Sequence, residues 1–111
     1  MRYVALVILM LCGVTTTANA DDGKVTIFGW GNDSCGKWLA SASGSDERYV
    51  YTSWILGWVS AAEYYGVDGK LRDTDADAME AWVDNYCHKR PLESIESAAE
   101  ALIIALAKHK Q

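Results

Sequence analysis

Cys35, Cys87, His88 and His109 are the side chains here that could do covalent chemistry, as a thiol nucleophile and an imidazole base. Ser34-Cys35-Gly36 faintly echoes a cysteine-hydrolase motif. Cys87 is available to pair with Cys35, however, and a bonded sulfur cannot attack. His88 follows Cys87 at a cationic helix end, where a solvated histidine is ordinary, and His109 falls in a terminal stretch of the kind that frays. Two cysteines and two histidines lack the spacing of a zinc site. Asp73, Asp75 and Asp77 begin like a calcium loop, but Ala78 stands where the sharp turn needs glycine and Asp84 where the bidentate Glu belongs. Three acids in a helix's first turn are also what its dipole favours. No glycine-rich phosphate loop follows a strand. The expectation is a protein without cofactor, metal or catalytic set.

The compartment decides how the cysteines are read. Arg2 precedes an apolar run from Val4 to Val14, and Ala18-Asn19-Ala20 places small residues for a signal peptidase. That layout predicts a secretory signal over residues 1–20 and a single mature domain over 21–111, periplasmic or secreted. The apolar run is shorter than the roughly 20 residues a membrane span needs, so no membrane association is expected after cleavage. Cys12 leaves with the signal. Cys35 and Cys87 remain as an even pair in an oxidising space, and a disulfide is the default reading.

Removing Arg2 from the ten cations leaves nine against fifteen acids, a net of −6. No basic patch suggests nucleic acid. The acidic balance would favour a basic partner surface without identifying one. The five tryptophans are many for a small chain. Some must fill the core, and others suit an interface with a protein partner or a second copy of the chain.

The elements that must carry these residues are helical. Residues 21–31 look extended, with Val25 and Ile27 alternating as in a short strand. Asn32, Asp33 or Ser34 could cap a short helix bearing Cys35, Trp38, Leu39 and Ala42. Tyr51, Trp54, Ile55, Trp58, Val59, Ala62 and Tyr65 then fall on one face of a second helix, which Gly66 is placed to end. Gly57 and Ala61, four apart on a neighbouring face, would let another helix approach closely. Thr74 can cap a third helix, with Asp77 completing a box and Ala76, Met79, Val83, Tyr86 and Cys87 facing inward. After Pro91, a fourth helix carries Leu92, Ile95, Ala98, Ala99, Leu102 and Leu106 on one stripe. The reading is an all-α, disulfide-tied bundle of about four helices behind a short extended segment. Its candidate binding element is the turn after the second helix. There Tyr64, Tyr65, Asp68 and Lys70 flank an Asp68-Gly69 turn signal.

The motif order carries a resemblance. Cys35-Gly36 with Trp38, then Trp54-Ile55-Leu56-Gly57-Trp58-Val59-Ser60, then Ala81-Trp82-Val83-Asp84-Asn85-Tyr86-Cys87 and Pro91-Leu92, resembles the Rap/Tai-type immunity proteins. Those are small exported helical proteins that protect bacteria from type VI secretion effectors, notably peptidoglycan amidases. The resemblance implies a helical fold, a Cys35–Cys87 bond, a periplasmic site of action and inhibition of a secreted effector by occlusion. Ala61 stands where a second glycine is common in that family, and the turn after the second helix has no matching motif. A second class, the Hde-type acid-stress chaperones, shares small size, export, helices and a disulfide. Its members expose apolar surface when acid protonates their carboxylates.

Overall fold

The computed structural model describes residue 23, residues 25–66 and residues 69–108. The expected signal segment, Asp68 and His109 lie outside them. Four helices form the domain: α1 (Cys35–Ala40), α2 (Asp46–Tyr65), α3 (Ala76–Lys89) and α4 (Ile95–Lys108), preceded by a 3₁₀ turn at Gly29–Asn32. No strand occurs among the described residues. Residues 25–28 have no regular structure, and Val25 and Phe28 are exposed, so the alternation there reflects no sheet pairing. No helix among the described residues is long and apolar enough to cross a membrane.

Each helix starts on a side-chain cap that satisfies one of the free N–H groups of its first turn. Ser34 accepts from Lys37 N, Ser45 from Arg48 N, Asp75 from Ala78 N and Ser94 from Ser97 N. The third helix is thus capped by Asp75 rather than Thr74, one residue later than the box pattern suggests. Gly66 ends α2 in the left-handed conformation (φ 63°), which glycine adopts without a Cβ clash.

The core joins Trp38 of α1, Tyr51, Ile55 and Val59 of α2, Val83 and Cys87 of α3, and Ile95, Ala98, Ala99, Leu102, Ile103 and Leu106 of α4. Leu92 does not belong to it. It lies before α4 begins and is almost fully exposed. The Cys35–Cys87 disulfide ties α1 to α3 across 52 residues, fully buried at both ends. Closing a loop of that size stabilises the fold by about 4 kcal/mol on the chain-entropy model. Backbone bonds from Cys35 N to Glu93 O and from Ile95 N to Asp33 O fasten the start of α4 to the start of α1.

A polar knot sits inside this frame. Arg48 is buried, and its guanidinium makes five hydrogen bonds. Nε donates to Ser41 Oγ, Nη1 to Glu80 and Asp84, and Nη2 to the carbonyls of Trp38 and Ser41. The guanidinium also lies 4.1 Å from the Trp38 ring centroid. Asp84 takes the Trp38 indole N–H at 2.6 Å, and Glu80 takes the Thr52 hydroxyl at 3.0 Å. One side chain thereby joins α1, α2 and α3.

Gly57 and Ala61 do not form a packing seam. Both are exposed, and a Cβ added at Gly57 would meet nothing within 4 Å. The close approach occurs instead at buried Gly31, where a Cβ would run into the six-membered ring of Trp54. Trp54 is held there by its indole N–H, which donates to Phe28 O at 3.0 Å.

Four outcomes follow for thermal and denaturant melts. Gly57→Ala should stabilise the protein, by up to about 1 kcal/mol, because alanine is the better helix former in open space. Gly31→Ala should destabilise it, because the Trp54 ring must move. Arg48→Lys keeps the charge but cannot supply five forked donors, and should lower stability by about 2 kcal/mol or more. The exposed Lys37–Asp33 pair should matter by no more than about 1 kcal/mol.

Candidate functional site

The sequence-derived site lies at the far end of α2 from Arg48. Sixteen residues of helix separate Arg48 from Tyr64, about 24 Å at 1.5 Å per residue. Tyr64 and Tyr65 are both strongly exposed, with rings in edge contact at 5.1 Å. The chain leaving Gly66 is fastened back onto the bundle. Gly69 N donates to Gly66 O, Leu71 N to the Glu63 carboxylate at 2.6 Å, and Arg72 N to Leu106 O at the end of α4. The segment is therefore presented on fixed supports.

Two grooves flank the last turns of α2, and the predicted residues divide between them. Tyr64 and Lys70 line a groove of about 600 Å³ whose floor is Val59, Leu71, Met79 and Leu106. Glu63, Arg72 and Asp73 add charge of both signs to it. Tyr65 turns to the other side. It joins Trp58, Ala61, Ala62, Ile103, Ile104 and Glu100 around a groove of about 380 Å³ between α2 and α4. The turn is thus less a single loop epitope than a ridge with an apolar trough on either side. Such a mixture of exposed tyrosine, apolar floor and polar rim is the make-up of protein interfaces.

Arg72, Asp73 and the α4 residues Ile103 and Ile104 were not legible as site residues from local motifs. One signal does point to α4. Residues 101–107 carry no polar side chain, yet a surface helix ordinarily has a polar face.

The groups considered for chemistry have structural partners. Cys35 and Cys87 are bonded to each other. His88 Nδ1 donates to Asp84 O, one turn earlier in its own helix, at 2.8 Å. Asp75 caps α3, Asp77 sits in that helix's first turn, and Asp73 lines the groove. No cluster of three or more metal-ligating side chains occurs among the described residues.

A second polar contact shapes the near end. The Tyr51 hydroxyl donates to Asp33 at 2.8 Å, and Lys37 Nζ reaches the same carboxylate at 3.1 Å. These bonds hold the Asp33 carboxyl below its ordinary range, while burial and then the bond to Asp33 push the Tyr51 phenol up to about 12. Trp30 packs edge-on against Tyr51 at 5.1 Å, so this pair also anchors the 3₁₀ turn.

Comparison with known proteins adds no relative, since no family model, characterised protein or solved structure matches the chain.

The raised Tyr51 value has a definite sign. The unfolded phenol ionises near pH 10 and the folded one near 12. Its contribution to stability is therefore complete below pH 10 and is lost as pH rises toward 12. Phenolate absorbance should show one tyrosine titrating last, and Asp33→Asn should bring that titration to lower pH.

Proposed function

We propose that this is an exported immunity-type protein that binds a toxic secreted effector and occludes its site, a peptidoglycan amidase being the first candidate. The supporting observation is the ridge of Tyr64 and Tyr65, held on fixed supports between two apolar-floored grooves. Tyrosine offers large contact area at small entropic cost, and Lys70 on the same groove offers a charged contact. Occlusion needs no turnover by the inhibitor, only a surface that outlasts the contest for the effector's cleft.

Export and the periplasmic setting belong to the same proposal. They rest on the signal-like residues 1–20 and accord with a buried disulfide, which persists in oxidising compartments. The link to type VI secretion rests on the motif resemblance over Cys35 to Leu92.

One observation favours the acid-chaperone reading as a second. Asp33 accepts from both Tyr51 and Lys37, so its protonation in strong acid would weaken the charged anchor of Tyr51, against which Trp30 of the 3₁₀ turn packs. That reading requires acid-dependent protection of aggregating clients, and needs no cognate partner.

Co-production in the periplasm with amidases encoded beside this gene is the test. The wild-type chain should suppress lysis and inhibit the purified amidase. Replacing Tyr64, Asp68 and Lys70 together by alanine should leave the melt unchanged and weaken binding by about thirtyfold or more. Full protection by the triple variant would remove the ridge from the interface. Client protection in acid with no amidase inhibited would replace the immunity reading by the chaperone one.

A further inference from the structure

We propose that the Cys35–Cys87 bond is a sealed redox latch: thiol reductants reach it only after the α1–α3 junction has come apart, and the Arg48 knot governs how often that happens. The latch belongs to the fold and is independent of the partner that the Tyr64 ridge binds.

Enclosure is the first observation. Both cysteines are 0% exposed. Cys35 opens α1, a helix of only six residues, and helix ends ordinarily fray. Here α1 is fastened on both sides. At its start, Cys35 N donates to Glu93 O at 2.7 Å and Gly36 N to Pro91 O at 3.0 Å, while Ile95 N donates to Asp33 O at 2.8 Å. Residues 91–95 are thereby clipped across the first turn of α1. At its end, Arg48 Nη2 donates to the carbonyls of Trp38 and Ser41, each at 2.8 Å. The disulfide lies between these two fastenings.

Register ties the latch to the knot. Cys35 stands one turn before Trp38 on α1, and Cys87 one turn after Asp84 on α3. Asp84 accepts both from the Trp38 indole and from Arg48 Nη1. Trp38 is itself fully buried, with the guanidinium over its ring. Moving α1 off α3 far enough to admit a reductant therefore breaks the bonds of Arg48 as well.

The chemistry requires that opening. A thiolate of the reductant must attack one sulfur, forming a mixed disulfide and expelling the other cysteine as a thiolate. With a dithiol, the second thiolate then displaces the remaining cysteine. Two electrons pass to the protein, the dithiol closes to its own disulfide, and Cys35 and Cys87 each end with one proton. A chain sealed in this way stays oxidised among thiols while it is folded, and its reduction follows unfolding.

The test exposes the oxidised protein to dithiothreitol, without urea and at rising urea below the unfolding transition, and counts free thiols over time. Reduction should be very slow in the absence of urea and should rise with urea as steeply as global unfolding does. A shallow or flat dependence would mean that a local opening reaches the sulfurs, and overturns the inference. Arg48→Lys should be reduced at least about tenfold faster than wild type at the same dithiothreitol concentration. If that variant does not fold, Glu80→Gln takes one charged acceptor from the guanidinium and should speed reduction in the same direction. A destabilised variant of the knot that is reduced at the wild-type rate overturns the role given to Arg48.

Discussion

Five N–H groups on one buried guanidinium hold this small bundle in register. Arg48 of α2 has five donors, and five acceptors from α1, the turn after it and α3 receive hydrogen bonds from the guanidinium. A buried charge is expensive unless its bonds are complete. That condition is met here, and no buried side-chain nitrogen or oxygen among the described residues lacks a partner. The geometry is also selective. Two of the acceptors are the carbonyls of Trp38 and Ser41 at the end of α1, where a helix leaves its last carbonyls short of intrahelical donors. Arg48 completes α1 while it docks α3. The disulfide on the other side of Trp38 then makes the same α1–α3 junction covalent.

The helices were legible because their inward residues recur at helical spacing, and Tyr51, Ile55 and Val59 are buried as that spacing predicts. Arg48 lies on the same stripe, three residues before Tyr51. An arginine in that register carried the signal of the knot, but composition makes arginine look like a solvent residue. Its partners come from elements 32 and 36 residues away, which no local pattern displays. Gly57 and Ala61 misled for the opposite reason. Small residues four apart look alike whether a helix packs on them or nothing does, and only the position of α4 decides. Leu92 is apolar and follows Pro91 directly, yet the chain needs residues 91–94 to turn and cap α4, which leaves it outside.

The candidate site was half legible. The sequence places Tyr64, Tyr65 and Lys70 beside a glycine-ended helix, and all three are exposed. That Tyr64 and Tyr65 would face different grooves depends on how α3 and α4 flank α2, and so it required the fold. The two halves of the molecule differ in kind. Near Arg48 the guanidinium and its hydroxyl, carboxylate and carbonyl partners are bonded to one another. Near Tyr64 the apolar residues exceed what the core can cover, as Ile104 shows.

Native-state hydrogen exchange of the mature protein measures that division directly. The account predicts the slowest amides in α1, the first half of α2 and the Glu80–Cys87 part of α3, exchanging only by global unfolding. Amides of the last turns of α2 and α4 should exchange faster, by local opening. Uniform protection along α2, or the slowest exchange at its Tyr64 end, would contradict the account.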